Sequence, residues 1–157
     1  MKSIIDKLNY IQAKLDVPKG RKNNFGNYKY RSLEDITEAL KPHLKETGCA
    51  VTMSDEIVTK NEMNYVCATV TFHSNETSIS VQGWARESES KKGMDTAQIT
   101  GSTSSYARKY AMNGLFAIDD TEQEPVFEID ANKNQDENSN TNGVLKRNKN
   151  TKPKIGG

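Results

Sequence analysis

The sequence is poor in the residues that usually build metal centres. It has two cysteines, in no CxxC arrangement, and two histidines far apart in the chain. A structural zinc site needs four such ligands at close spacing. We therefore expect two reduced, buried thiols and no zinc site. The four residues are Cys49, Cys67, His43 and His73.

Long apolar segments are also missing. Apolar residues make up 34% of the chain, and none of their runs approaches the roughly 18 residues that cross a bilayer. The opening residues, MKSIIDKLNYIQ, lack the continuous apolar region of a secretory signal. A GxxxxGK[ST] loop is absent from the sequence, so ATP hydrolysis is not indicated. We expect a protein of the cytoplasm with no membrane contact.

The net charge of +1 conceals three segments of different sign. Residues 1–118 carry +3, residues 119–137 carry −7 and residues 138–157 carry +5. Within the last two segments, the stretch NKNQDENSNTNG has almost no apolar residues with which to form a core. We predict a folded domain over residues 1–120 and a disordered, acidic-then-basic tail over residues 121–157.

Three helices are predicted from apolar periodicity and from the capping boxes at their starts. They span residues 3–15, 32–48 and about 95–117. Pro42 lies inside the second helix and is expected to kink or divide it. In the third helix the apolar stripe includes Tyr106 and Tyr110, so we expect both rings to anchor this helix to the sheet.

Three strands are predicted between the second and third helices. They span residues 49–59, 65–73 and 78–87, where apolar and polar residues alternate. The order α-α-β-β-β-α predicts an α+β fold, a three-stranded antiparallel meander with helices on one face. In the last strand Trp84 and Arg86 face away from the apolar side, which is unusual for a face that meets only solvent.

A basic segment, KGRKNNFGNYKYR at residues 19–31, is predicted to be a loop. It contains five basic residues and three aromatic residues, and it has no acid. Its bases could neutralise phosphates, and Phe25, Tyr28 and Tyr30 could stack on unpaired bases. The alternative is that the aromatic rings anchor the loop to the core and the basic residues are solvated.

The segment TGSTSSYARKYA at residues 100–111 resembles a serine active site at first sight. It has neither a GxSxG turn nor a nearby histidine to act as a base. At helical spacing, Ser102, Ser105 and Lys109 fall on one face, as hydroxyl and cationic donors to phosphate. Gly101 lets another backbone approach, whether of the sheet, a subunit or a nucleic acid. The alternative is a helix whose small residues only allow tight packing.

The candidate nucleic-acid-binding residues carry a positive charge, a polar hydrogen-bonding group or an aromatic ring. They are Arg21, Lys22, Tyr28, Lys29, Tyr30, Arg31, Trp84, Arg86, Lys91, Lys92, Gln98, Ser102, Ser105, Arg108 and Lys109. We assign no catalytic residue and no metal ligand. Asp119 and Asp120 could hold Mg²⁺, but two adjacent carboxylates are a weak nuclease signature, and we interpret them as the start of the acidic tail.

Two stretches resemble the essential recombination function (ERF) family of phage single-strand annealing proteins. They are FGNYKYRSLEDITEAL and MDTAQITGSTSSYARKYAMNGLFAIDD. The second fits the family pattern Q-x-x-G-S-x-x-[ST]-Y-A-[RK]-[RK]-Y-[AS] from Gln98 to Ala111, and the resemblance covers about residues 1–120. It implies the β-β-β-α core of the ring-forming annealing proteins, with Arg108 and Lys109 lining a DNA groove.

The function implied by this resemblance is recombination. A family member binds single-stranded DNA and anneals complementary strands without ATP, as a homo-oligomeric ring or filament. We expect it in the cytoplasm of the bacterial host, with no cofactor and with Mg²⁺ left open as a modulator of DNA binding. The tail could dock a single-strand-binding protein or a phage exonuclease, or its acidic part could mimic DNA.

Three other functions stay open at this stage. A double-stranded-RNA-binding module has the same α-β-β-β-α order and needs no oligomer. A metal-dependent nuclease would use carboxylates such as Asp119 and Asp120. A phage structural or assembly protein would form oligomers without binding nucleic acid.

Overall fold

The structure, a computed structural model, describes residues 3–24, 26–75 and 77–119. Phe25, Asp120 and the predicted tail lie outside these residues, so the expectations for them stay predictions. Among the described residues there are three helices, each close to a predicted one. They are α1 (Ile4–Lys14), α2 (Leu33–Thr47) and α3 (Thr96–Phe116).

Each helix begins at the capping box that the sequence predicts. The cap pairs are Ser3 with Asp6, Ser32 with Asp35, and Asp95 with Gln98. In each pair the two side chains accept hydrogen bonds from each other's backbone N–H, which satisfies donors that the first turn leaves unpaired. These local interactions fix where the helices start.

Helix α2 is continuous through Pro42, so this proline does not divide the helix, and the kink expected as the other outcome stays a prediction. Pro42 is exposed. The carbonyl of Glu38, which loses its usual donor four residues on, is therefore on the side where water can reach it. The helix ends at Gly48, whose φ of 63° is the left-handed conformation expected of a C-terminal glycine.

The basic segment forms a short hairpin rather than the predicted loop. Its strands are β1 (Arg21–Asn23) and β2 (Tyr28–Tyr30), paired antiparallel with Lys22 opposite Lys29. Asn27 has a φ of 48°, a conformation that asparagine tolerates better than most residues. The asparagine-rich connection can therefore turn tightly enough for such short strands to pair.

The main sheet is the predicted antiparallel meander. It consists of β3 (Ala50–Lys60), β4 (Met63–Ser74) and β5 (Thr77–Arg86), in the order β3-β4-β5. The fold is therefore α+β, as the sequence predicts. The apolar residues of β4 are completely buried on one face; they are Val66, Ala68, Val70 and Phe72.

The core lies between this face and the three helices. Phe72 of β4 meets Phe116 of α3 edge to face, with ring centroids 6.0 Å apart. The buried side chains around them are contributed mainly by the helices, and they include Ile11, Ile36, Leu40, Met112 and Leu115. Cys67 is buried as expected, Cys49 is half-buried, and neither is in a disulfide. Among the described residues, no helix is long and apolar enough to cross a bilayer.

Helix α3 packs against the sheet through residues that follow one another at intervals of four. They are Ile99, Thr103, Ala107, Ala111 and Leu115, all buried. Tyr106 and Tyr110 are 50% and 44% exposed, so the expectation that they anchor the helix to the sheet is wrong. Small and aliphatic residues, rather than the aromatic ones, form the contact line.

The aromatic side chains are excluded from this contact because α3 lies very close to β5 at Gly83. A Cβ atom at this position would lie 2.2 Å from the carbonyl oxygen of Ala107 and 2.4 Å from the nitrogen of Ala111. The helix backbone thus rests directly on the strand backbone, and larger side chains cannot fit between them. Gly101, the glycine expected to allow a close approach, has open space around it. Gly101 therefore does not serve to let the sheet backbone approach the helix.

Replacement of Gly83 by alanine tests this contact. Because the new methyl group would collide with backbone atoms, we expect Gly83→Ala to lower the free energy of unfolding by about 1–3 kcal/mol or more. Gly101→Ala is the matched control, since it adds the same methyl group in open space and should raise stability by about 0.5–1 kcal/mol. Urea unfolding measures both; equal stability of the two variants would contradict the close approach.

Candidate nucleic-acid interface

A groove runs between the β1–β2 hairpin and helix α3. The residues that line it are basic, aromatic or amide-bearing, and they are Lys19, Asn23, Tyr28, Lys29, Tyr30, Tyr106, Lys109 and Tyr110. Its volume is about 180 Å³. We call it the aromatic groove. One wall comes from the basic segment and the other from the serine-rich helix, so the fold brings the two candidate segments together.

On the helix side of the groove, Lys109 lies beside the rings of both Tyr106 and Tyr110. The Lys109 Nζ lies 5.5 Å from the ring centroid of Tyr106 and 5.6 Å from that of Tyr110. The two ring centroids are 6.2 Å apart, and the rings are tilted by 40°. At such distances the ammonium group is attracted to the ring faces. The contact holds Lys109 beside the rings while these remain exposed.

On the hairpin side the groove has a second pair of rings. Tyr28 and Tyr30 lie edge to face, with centroids 6.2 Å apart, and Asn23 donates a hydrogen bond to the Tyr28 hydroxyl. Lys29 also lines the groove. Each wall therefore combines aromatic rings that can stack on bases with a lysine that can bind a phosphate.

Two further cavities continue the surface on either side of Tyr106. One, of about 390 Å³, joins Tyr106 to Trp84, Arg86, Lys91 and Ser102. The other, of about 140 Å³, joins it to Tyr30, Arg31, Ser105 and Lys109. Tyr106 lines all three cavities, although it was not among the candidate residues. Tyr106 and Tyr110 could have been identified as candidates from the sequence. This required assigning the small residues of the helix, instead of the aromatic ones, to its sheet-facing side.

Arg108 is not brought into the groove but is bound to β3. Its Nε and Nη2 donate to Asp55 at 3.0 and 2.8 Å, and Ser104 donates to the same carboxylate. Burial of Asp55 opposes its ionisation, but the hydrogen bonds from Arg108 and Ser104 outweigh it and hold the pKa of the carboxyl below its ordinary value. Arg108 therefore fixes α3 to the edge of the sheet.

Arg21 has a similar structural contact. It binds Asp35 at 2.8 Å and Glu34 at 3.0 Å, which ties the hairpin to the first turn of α2. The hydrogen bonds from Arg21 and Ser32 hold the pKa of the Asp35 carboxyl well below its usual range. Asp35 thus caps α2 and positions the hairpin wall of the groove at the same time.

Three further candidates, Lys22, Lys92 and Gln98, do not line any of these three cavities. Lys22 is exposed on β1 and Lys92 is exposed in the loop before α3. Gln98 accepts a hydrogen bond in the capping box of α3.

A larger cavity, of about 540 Å³, is also lined by Lys19, Lys29 and Arg31, but its lining includes Asp16 and Asp119. Its mixed charge makes it less suited to phosphate than the aromatic groove.

Comparison with known proteins adds independent information. The sequence model of the ERF superfamily matches residues 4–155. The essential recombination function protein of Salmonella phage P22 is 55% identical over 119 residues, which are 76% of this chain and 57% of that protein. The chain thus spans little more than half the length of this relative. No solved structure matches the chain.

Substitution of Asp55 by asparagine tests the structural role of Arg108. The variant should lose about 1 kcal/mol of stability at neutral pH, as is usual for a partly exposed pair. The pKa of Asp55 is lowered in the folded protein, so its contribution is complete above the ordinary value of 3.8 and is lost as the pH falls through the folded pKa. The difference from wild type should therefore shrink in acid.

Urea unfolding over a series of pH values measures this difference. Glu38→Gln is the control, because its pair with Lys41 is exposed on both sides and should contribute little. A stability difference for Asp55→Asn that stays constant from neutral to strongly acidic pH would argue against the ion pair.

Proposed function

Since the chain belongs to the ERF superfamily, we propose that it is a recombination protein that binds single-stranded DNA in the aromatic groove and anneals complementary strands without ATP. The observation that carries this proposal is the exposure of Tyr106 and Tyr110 around Lys109, opposite the tyrosines and Lys29 of the hairpin. The relative from Salmonella phage P22 is named for a recombination function.

The chemistry of the groove suits an unpaired strand. A base that stacks on a tyrosine ring contributes roughly 1–3 kcal/mol whatever its sequence. Lysines on both walls neutralise phosphates, and this attraction is equally independent of sequence. A protein that pairs any two complementary strands needs binding of this kind.

The aromatic rings also favour single strands over duplex RNA. In a duplex the faces of the bases are stacked on one another and cannot reach a tyrosine. Modules that bind double-stranded RNA contact phosphates and 2′-hydroxyls across the minor groove instead. A groove lined by four tyrosines and three lysines therefore supports the single-strand proposal over this alternative.

Annealing further requires that the bound strand can leave the protein. Annealing breaks no covalent bond, so the protein acts by binding rather than by catalysis. Weak binding at each groove lets the strand leave as duplex forms, and repetition of the groove in a homo-oligomer restores the overall affinity. We therefore include self-association in the proposed function.

The direct test is annealing of complementary labelled oligonucleotides without nucleotide cofactor. We expect the protein to accelerate annealing in the absence of ATP, to prefer single-stranded DNA over duplex RNA in gel shifts, and to leave the DNA intact when Mg²⁺ is added. Spontaneous annealing of the same oligonucleotides is the baseline. Preference for duplex RNA, or Mg²⁺-dependent degradation of the DNA, would refute the proposal.

The role of the rings is tested by the double variant Tyr106→Ala/Tyr110→Ala. We expect its affinity for single-stranded DNA to fall about 10-fold or more, because stacking is worth roughly 1–3 kcal/mol per base. The matched control is Tyr106→Phe/Tyr110→Phe, which keeps both rings and should bind nearly as wild type does. Fluorescence anisotropy with a labelled oligonucleotide gives both affinities. If the alanine variant binds as tightly as the phenylalanine variant, the rings do not stack on bases.

A further inference from the structure

The largest cavity, of about 540 Å³, lies on the other side of the hairpin lysines from the aromatic groove. Its lining comes from the end of α1 and the residues after it, from Lys29 and Arg31 at the hairpin, and from residues 116–119 at the end of α3. We call it the mixed-charge cavity. The proposed function assigns no ligand to it.

The hairpin cations of this cavity differ from the paired arginines of the domain. Arg21 and Arg108 are bound to carboxylates. Lys29 and Arg31, in contrast, form no ion pair with any residue that the structure describes, and the buried Nε of Arg31 has no hydrogen-bond acceptor there. The positive charge on this wall is therefore not neutralised by the described part of the chain.

The chain continues from the wall of this cavity directly into acidic residues. Asp119 lines the cavity, and Asp120, Glu122 and Glu124 follow within five residues. Alternate residues of an extended chain point to the same side, so these three carboxylates can face one wall together. Pro125 favours an extended conformation at the residue before it, which is Glu124.

We propose that residues 120–124, the acidic segment, bind in the mixed-charge cavity with their carboxylates directed to Lys29 and Arg31. Five extended residues span roughly 17 Å, so the segment can cross the cavity from Asp119. Because it is tethered there, its effective concentration at the cavity is on the order of millimolar. Ion pairs that are individually weak are then sufficient to keep it bound.

The mixed charge of the lining favours such a peptide over a nucleic acid as the occupant. A DNA strand has a phosphate at every nucleotide and would meet Asp16 as well as the cations. The acidic segment has uncharged Thr121 and Gln123 between its acids. It can therefore direct its charges to one wall and place uncharged side chains beside Asp16.

Occupation of this cavity affects the aromatic groove, because Lys19 and Lys29 line both. When Lys29 is paired with a carboxylate of the acidic segment, it is not available to a phosphate in the groove. The segment and a DNA strand therefore compete, and each lowers the affinity of the other by the same factor. This competition rests on the proposed function, whereas binding of the segment itself needs no DNA.

Chemical modification of lysines tests the site without DNA. Lys22 and Lys29 are opposite each other in the hairpin and both are exposed, so the described fold alone predicts similar rates of acylation. We expect Lys29 of the full-length wild type to react about 3-fold more slowly than Lys22, because an ion pair protects it. The variant Asp120→Asn/Glu122→Gln/Glu124→Gln should remove the difference. Mass spectrometry of the digested protein measures both rates.

The matched control is Asp130→Asn/Asp136→Asn/Glu137→Gln, which removes the same number of charges farther along the chain. It should leave Lys29 protected. Equal reaction of the two lysines in the wild type, or continued protection of Lys29 after neutralisation of the acidic segment, would overturn the proposal. Protection that grows with protein concentration would assign the cavity to the segment of a second copy, and would overturn it too.

Binding of DNA by the same three proteins tests the competition. We expect neutralisation of the acidic segment to tighten binding of labelled single-stranded DNA about 3–10-fold in fluorescence anisotropy, and the control to change it less than about 2-fold. Both variants gain the same net charge, so an equal gain in affinity would show a general charge effect and refute the competition.

The two measurements separate this inference from the proposed function. Protection of Lys29 in a wild type that does not bind single-stranded DNA would refute the function and leave the site of the acidic segment intact. A wild type that anneals DNA while its two hairpin lysines react equally would refute the site and leave the function intact.

Discussion

The direct contact of α3 with β5 at Gly83 is the constraint on which the rest of the structure depends. It brings backbone to backbone, so the helix must present small residues at intervals of four, among them Thr103, Ala107 and Ala111. Large side chains cannot lie between the two backbones at this point. The tyrosines of the helix are therefore displaced towards solvent, where they form one wall of the aromatic groove.

Two ion pairs hold the parts around this contact in position. Arg108 fixes the helix to β3 through Asp55, and Arg21 fixes the hairpin to α2 through Asp35. The basic residues around the groove thus have different tasks. Arg21 and Arg108 set the geometry of the walls, while Lys29 and Lys109 line the groove itself.

Local signals in the sequence were sufficient for much of the fold. Capping boxes, alternation in β4 and the glycine at the end of α2 each act within a few residues, and the predicted helices, sheet and buried face follow from them. The orientation of Tyr106 depends instead on a distant strand. Likewise, the partner of Arg108 lies 53 residues away in the sequence. Periodicity cannot reveal such contacts, and it therefore could not separate Arg21 and Arg108 from the lysines that line the groove.

The walls of the aromatic groove are encoded at opposite ends of the described domain. The hairpin wall begins at Lys19, whereas the helix wall carries Tyr106 and Tyr110. During synthesis the ribosome completes the first wall long before it makes the second. A nascent chain that ends before α3 therefore has no groove. The complete surface exists only when α3 is packed on the sheet, so the groove depends on the folding of the whole described domain.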